Sequence, residues 1–339
     1  MARLSPLTKK RIAIFKANKR GLLSLRIFGI LFILAMLAEF IANDKPILVM
    51  YKDSLYMPVI SEYAETRFGG DFETEADYKD PYIKKMIEDN GFIIMPLIEY
   101  SHEFSAGTSV LAAPSSDHLL GTDDEGRDIL ARIIYGFRLS VLFGLALTIA
   151  SSVIGLIAGA IQGYFGGWVD IIMQRFLEIW SSMPLLLVLI ILSSIVEPNI
   201  LWIFLIMLLF SWMRLVDLVR AEFLRARNLD YVRAARALGV KELPIIFRHI
   251  LPNALVSTFT FLPFILTGSI TLLAELDFLG FGLPAGYPSL GELTLQGKNN
   301  LDAPWIGITA FFILAVTLSL LIFIGEALRD AFDPRKVIR

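Results

Sequence analysis

The sequence has no cysteine, only three histidines, and a low share of charged residues, 19% of its 339 positions. Without cysteine, disulfide bonds and thiolate metal sites are excluded. His102 and His118 have no third ligand nearby, so a zinc site is not expected. In soluble domains about a quarter of the residues are charged. The lower share of charged residues here therefore argues against a soluble protein.

Two classes of catalytic motif are also missing. No G-x-x-x-x-G-K-[S/T] pattern occurs, so the chain lacks the loop with which P-loop proteins bind nucleotide phosphates. No Ser–His–Asp set or paired carboxylates stand out either. We therefore expect a non-enzymatic chain that binds no cofactor or metal itself.

Hydrophobic residues are abundant, at 55%, and they gather in long uninterrupted runs. A helix of about 20 residues spans the roughly 30 Å hydrocarbon core of a bilayer. The pattern predicts an all-α polytopic membrane protein with six spans, near residues 22–42, 138–161, 171–196, 200–219, 254–275 and 304–325.

Charge distribution predicts the sidedness. The tail 1–21 is basic without an acidic residue, so the positive-inside rule places it in the cytoplasm. Residues 43–135 hold 18 acids against 8 basic residues, as expected of a periplasmic segment. We assign 43–137 as this loop, with an amphipathic interfacial helix within DDEGRDILARIIYGFRLSV before the second span. The five-helix core is 138–326, and the tail 327–339 returns to the cytoplasm.

The basic segment 220–253 lies between two spans, and counting spans places it in the cytoplasm. Residues 231–238 predict a short helix that Asp230 caps and Gly239 ends. A second short helix is expected over 241–249, before Pro252 opens the next span. The alanines leave a flat surface for a partner, and the apolar anchors on it are Tyr231, Val232 and Leu238.

This segment resembles the EAA loop of permease subunits in binding-protein-dependent ABC importers. That pattern reads E-A-A, three residues, G, nine residues, I-x-L-P. Here it reads Arg233-Ala234-Ala235, then Gly239, then His249-Ile250-Leu251-Pro252, with Arg233 in place of the Glu. The ending RHILPN is usual in the dipeptide/oligopeptide branch.

Four further stretches resemble the same peptide-importer family, in the same order along the chain. They are HLLGTDDEGRDILARIIYG (118–136), GGWVDIIMQRFLEIWSSMP (166–184), LDFLGFGLP (276–284) and GEALRDAFDPR (325–335). In two of them an acid departs from the family pattern: Glu178 stands for an Asp and Asp277 for a Ser.

The resemblance implies a type I importer permease that moves peptides, with peptide antibiotics as one candidate cargo. Its implied partners are a second permease subunit, expected as a heterodimer, a periplasmic peptide-binding protein, and P-loop ATPase subunits that carry the ATP and magnesium. Membrane lipid surrounds it, and no nucleic acid is expected. The implied docking residues for the ATPase are Tyr231, Val232, Arg233, Ala234, Ala235, Leu238, Gly239, Leu251 and Pro252.

Several residues allow two interpretations. Glu178 either lines the substrate path or pairs with Arg175. Glu275 and Asp277 either form a gate or are solvated at the interface. Asp123, Arg127 and Asp128 form either a metal or catalytic cluster or, as we favour, a cap and ion pairs on a surface helix.

A glycine stripe and one loop also matter for packing. Gly155, Gly159 and Gly163 recur every four residues, a spacing that allows close helix packing within the chain or against the second permease. The segment from Pro284 to Gly291 is expected to be a re-entrant or capped loop.

Two rival functions remain at this point. A secondary transporter would show inverted repeats or charge relays at mid-membrane, and no repeat is visible. A membrane-embedded enzyme would need a metal or nucleophile constellation, which is missing. The Ala-Ala…Gly…Leu-Pro spacing favours the permease over both.

Overall fold

The computed structural model describes residues 6–103, 109–196, 199–284 and 286–333. The predicted ends of both tails, including Arg3, Pro334 and Arg335, lie outside these ranges. The described chain is mostly helical, with one small sheet. Its helices are α1 Pro6–Ala17, α2 Lys19–Met36, α3 Ala38–Ile41, α4 Pro81–Asn90, α5 Ile129–Phe165, α6 Gly167–Ser181, α7 Leu185–Ile195, α8 Ile200–Ser211, α9 Met213–Ala226, α10 Asp230–Ala237, α11 Glu242–Pro244, α12 Leu251–Phe278, α13 Leu290–Asn299 and α14 Pro304–Phe332.

Four stretches of helix among the described residues are long and apolar enough to cross a membrane: Ile129–Phe165, Ile200–Ala226, Glu242–Phe278 and Pro304–Phe332. The pair α6 and α7 makes a fifth if it counts as one span. Helix α2 carries Lys19, Arg20 and Arg26 among its 18 residues and does not join this set. Its role as the first span stays a prediction.

The predicted third span, 171–196, differs from the structure. Instead of one straight helix, α6 and α7 meet at a bend of 74°. Pro184 lies at the break and caps α7, and a proline cannot donate a backbone hydrogen bond to the preceding turn. Just before the break, Ser181 Oγ and Ser182 Oγ donate hydrogen bonds to the carbonyls of Glu178 and Ile179 at 3.3 and 2.7 Å.

The chain divides into two compact units. The first comprises Met1–Gly29, Ser140–Pro284 and Ala315–Arg339. In it, the glycine stripe packs within the chain against α9 and the residue before it, Trp212. An added Cβ at Gly159 would lie 2.7 Å from the carbonyl oxygen of Val216. Gly155 and Gly163 meet the carbonyls of Trp212 and Arg220 in the same way. The structure thus supports the first of the two packing alternatives for this stripe.

The second unit comprises Ile30–Leu139 and Ala285–Leu314. Its sheet has the antiparallel order β2-β1-β3, from Ser54–Tyr56, Leu48–Tyr51 and Gly91–Ile94. Asp80 caps α4 by accepting a hydrogen bond from the Tyr82 amide at 2.8 Å. One face of the sheet packs on Phe68, around which Tyr51, Tyr56 and Tyr78 stand edge to face. We call this part, residues 42–100, the sheet domain.

Two further differences from the sequence predictions lie in the second unit. The predicted interfacial helix is not separate: residues from Ile129 onward belong to α5, and a bridge between Thr122 and Asp128 closes a loop before it. Part of the predicted loop after Pro284 is helical, because α13 begins at Leu290. Ser289 caps it by accepting hydrogen bonds from the amides of Gly291 and Glu292.

Candidate docking loop and polar cavity

Helix α10 forms the first half of the segment that resembles an EAA loop. It spans Asp230–Ala237, and Leu229 occupies the N-cap position without a side-chain hydrogen bond. The predicted cap by Asp230 is therefore wrong. Asp230 lies instead in the first turn of the helix, where a carboxylate is favoured by the partial positive charge of the helix end.

Gly239 ends α10, as predicted. Its φ is +77°, a left-handed conformation that glycine adopts without steric cost. The Gly239 amide donates to the Arg236 carbonyl at 3.0 Å, and the Val240 amide donates to the Ala235 carbonyl at 3.1 Å. These two bonds form a Schellman motif, which turns the chain sharply out of the helix.

The second half of the loop is continuous with the following span. Helix α11 leads through a wider π-helical turn, Ile245–Ile250, into α12. Pro252 follows directly and has no amide hydrogen for the preceding turn, which accounts for the widened geometry at this place. Leu251 is half-buried and Pro252 is exposed.

One face of α10 packs against the chain itself. Val232 and Ala235 are buried in a cluster with Leu215, Val219 and Phe223 of α9. Ile245 and Ile250 complete this cluster. Two of the residues expected to contact a partner therefore anchor the loop to its own span.

The opposite face is open. Tyr231, Arg233, Ala234, Leu238 and Gly239 are exposed there. Leu243 and Phe247 are exposed as well, at 65% and 62%, and Leu238 reaches 84%. We call Leu238, Leu243 and Phe247 the apolar patch. Sequence reasoning missed Leu243 and Phe247, although their four-residue spacing on a helix was a usable signal.

A basic residue ties the two halves of the loop to the end of α5. Arg236 donates from Nη2 to the Tyr164 hydroxyl at 3.2 Å and lies 3.6 Å from Glu242. Arg227 donates to the Tyr164 carbonyl at 3.2 Å. Two arginines, one before α10 and one within it, therefore tie this segment to the end of α5, and the apolar patch remains exposed.

Glu178 lies on α6 and pairs with Arg175, as the second interpretation proposed, at 2.5 Å. It also lines a cavity of about 340 Å³ between α6, α8 and α9. Gln174, Arg214 and Asp217 line the same cavity. Sequence reasoning missed Arg214, although its place well before the end of the apolar stretch Ile200–Ala226 was a signal, since charge within a span is costly.

The other two predicted gate residues lie at the end of α12. Asp277 is buried, and its Oδ1 accepts a hydrogen bond from the Leu283 amide at 2.7 Å. It thereby stabilises the turn that follows the helix. Glu275 is exposed. Neither residue lines the cavity that contains Glu178.

The predicted cap and ion pair are present: Asp128 Oδ1 accepts a hydrogen bond from the Ala131 amide at 2.8 Å in the first turn of α5, and Asp123 pairs with Arg127. The predicted surface helix is wrong, because all three residues are buried in the loop before α5. Asp123 Oδ2 accepts from Arg127 Nε at 2.7 Å and from Arg132 Nη1 at 2.5 Å. The two arginines also pair with Glu292 of α13, at 3.4 and 2.5 Å. Sequence reasoning could not pair Arg132 with Glu292, because 160 positions separate them.

The same loop holds His118, whose Nδ1 lies 2.8 Å from Asp128 Oδ2. Burial raises the pKa of Asp123, but the guanidinium groups of Arg132 and Arg127 and the hydrogen bonds from Arg127 outweigh it. The pKa of Asp123 therefore lies below its ordinary value. Across the described residues, no group of three or more His, Asp or Glu side chains has a geometry for a metal ion.

Comparison with known proteins places this geometry in a family. Residues 151–338, which include the loop and the cavity, match the model for "Binding-protein-dependent transport system inner membrane component". The whole chain is 58% identical over 341 residues to the Escherichia coli inner membrane ABC transporter permease protein YejE, with 100% of each chain covered.

Two other relatives are also similar. The Agrobacterium fabrum peptidoglycan transport system permease protein YejE is 55% identical, over 99% of this chain and 95% of its own. The Haemophilus influenzae oligopeptide transport system permease protein OppC is 38% identical, over 70% of this chain and 77% of its own. These matches confirm the predicted resemblance and the type I importer permease fold. The chain belongs to the family of inner membrane components of binding-protein-dependent transport systems, as the permease of an ABC importer.

Proposed function

We propose that the chain is one of two permease subunits of an ATP-driven importer that moves peptides across the inner membrane by alternating access. The observation that carries this proposal is the loop 230–250, which is anchored inward by Val232 and Ala235 and presents its apolar patch outward. An exposed apolar patch on a rigid support is typical of a docking surface.

The partner at this surface is a P-loop ATPase subunit in the cytoplasm, which binds the ATP and magnesium. The positive-inside distribution supports the orientation: residues 220–253 hold seven Lys and Arg against three acids. Both termini then lie in the cytoplasm, and the acidic sheet domain lies in the periplasm. There it is within reach of a peptide-binding protein and of the second permease.

Docking uses the exposed residues of the loop, above all Leu238, with Tyr231, Arg233 and Ala234 around it. Val232, Ala235, Leu251 and Pro252 contribute by fixing the loop on α9 and α12. Gly239 sets the turn that projects Leu238. A closing ATPase pair would thereby move the spans through α9 and α12.

Peptides are the proposed cargo because relatives of this chain carry names that refer to peptidoglycan and oligopeptide transport. Peptidoglycan and oligopeptides share short peptide chains with free carboxylates. We include cell-wall peptides and peptide antibiotics in this class.

The test is a pull-down in mild detergent with the tagged chain in its native membrane. We expect a second permease and a P-loop ATPase to co-purify. In Leu238→Asp, the ATPase should be lost while the second permease remains, because a charge on the apolar patch opposes its burial. Leu55→Asp, on an exposed site of β2, is the matched control and should retain both. Repeated recovery of the chain alone would contradict the proposal and favour a secondary transporter.

A further inference from the structure

Two charged side chains of α9, Arg214 and Asp217, are exposed within the apolar stretch Ile200–Ala226. Both line the cavity of about 340 Å³ described above. A charged group within a span is costly against lipid and usually faces protein or a water-filled path. The face of α9 that bears these two residues is therefore not a lipid-facing surface.

Both carboxylates of this cavity have hydrogen-bonded partners, whereas Arg214 has none among the residues that the structure describes. Glu178 pairs with Arg175 at 2.5 Å, and Asp217 accepts a hydrogen bond from Gln174 at 3.3 Å. Within the described parts of the chain, Arg214 takes part in no hydrogen bond or ion pair. Arg214 is therefore a guanidinium with no bonded carboxylate among the described residues, and the Asp217 carboxylate three residues further on is bonded there by the neutral amide of Gln174.

The position of the Arg214 guanidinium along the span follows from its contact with Gly268 of α12. It lies against the backbone of Gly268, where an added Cβ would be 3.0 Å from Arg214 Cζ. Gly268 precedes the end of α12, Phe278, by ten residues, or about 15 Å of helix. Long basic side chains often extend toward the membrane surface, but here glycine makes room for the charged group well inside the span.

Part of the cavity lining is aromatic. Trp180 and Phe210 stack with ring centroids 5.6 Å apart and an angle of 28° between planes. Met213 and Leu177 extend this lining. The cavity therefore combines an apolar surface with the Arg214 guanidinium, whose planar fork matches a carboxylate.

We infer that this cavity binds a peptide in transit and that Arg214 holds the peptide's carboxylate. Trp180 and Phe210 contact its side chains, without selecting their identity. The inference rests on the proposed function, because it requires that peptides pass through this chain. It adds a point of selection inside the membrane to any selection by the binding protein.

The experiment uses the complete transporter with its binding protein in proteoliposomes and measures ATP-dependent uptake of trialanine and of trialanine amide. For each peptide, the uptake of a variant is divided by that of the wild type. In Arg214→Gln we expect trialanine uptake to fall about tenfold, the loss expected for one charge-assisted hydrogen bond. The amide should be nearly unaffected, and Arg214→Lys should retain much of the uptake of the acid.

The outcomes separate the two proposals. Equal losses for acid and amide, or no loss for either, would overturn the role of Arg214 while leaving the importer intact. Equal losses are also expected if Arg214 pairs with a carboxylate of the second permease. If the wild type shows no ATP-dependent uptake of peptides, the proposed function fails, and the inference fails with it.

A second readout does not depend on Arg214→Gln folding well. The chain has no cysteine, so Arg214→Cys introduces a single thiol. If the cavity is water-filled, this thiol reacts with a cationic methanethiosulfonate, and the added charge restores trialanine uptake. A neutral methanethiosulfonate should not restore it. The control Ile172→Cys, exposed on α6 outside the cavity, should stay unlabelled. A thiol at position 214 that stays unlabelled in the active transporter would overturn the inference.

Discussion

At the scale of single residues, Asp123 shows what a buried carboxylate contributes when two arginines surround it. Its Oδ2 accepts from both Arg127 and Arg132. Asp123→Asn removes the negative charge that both guanidinium groups contact. We expect the free energy of unfolding of the second unit to fall by about 3–5 kcal/mol. Thermal unfolding of the purified chain in detergent measures it. Glu125→Gln, whose exposed carboxylate also pairs with Arg127 at 2.9 Å, should cost less than about 1 kcal/mol. Equal effects of both variants would contradict this assignment.

The same residue gives a pH dependence with a definite sign. Its pKa in the folded chain lies below the ordinary value of 3.8. A carboxyl of this kind stabilises the fold above its unfolded pKa, and this contribution is lost as the pH falls through the folded pKa. Acid unfolding of the wild type below about pH 4 should therefore include a component that Asp123→Asn lacks. Identical acid unfolding profiles for the two proteins would argue against a stabilising role of the Asp123 carboxylate.

Ala235 and Leu238 are three residues apart but face opposite ways. Ala235→Glu puts a carboxylate into the chain's own core, and we expect it to lower the stability of the purified chain by about 3 kcal/mol. Leu238→Glu, on the exposed side, should leave the melting temperature unchanged. A stable Ala235→Glu chain would show that α10 does not pack as described.

At the scale of elements, the glycine stripe of α5 sets how closely α9 approaches it. Gly159→Ala would bring a methyl group within 2.7 Å of both the Val216 carbonyl and Val219 Cβ, and we expect a loss of about 1–3 kcal/mol from overpacking. Gly29→Ala in α2, where nothing lies within 4 Å, is the matched control. It should be neutral or stabilising by up to about 1 kcal/mol. Similar melting temperatures of both variants would rule out close packing at Gly159.

At the scale of the whole molecule, the sequence predicts the features that depend on residues close together along the chain. Hydropathy indicated the apolar helices, and Gly239 indicated the end of α10. Pairings across the chain were not accessible: Arg132 with Glu292, or the Arg214 guanidinium against Gly268. The inward orientation of Val232 and Ala235 was missed for the same reason, since only the packing of α9 against α10 decides it.

The bend at Pro184 determines how far α7 is displaced when the angle between α6 and α7 changes. Helix α7 has 11 residues, so it is a rigid arm about 16 Å long. A rotation of about 10° at the bend moves the far end of that arm by about 3 Å, a displacement comparable to the radius of a methyl-bearing side chain. A small rotation of α6 against α7 at this bend would therefore shift the far end of α7 by about the length of two covalent bonds.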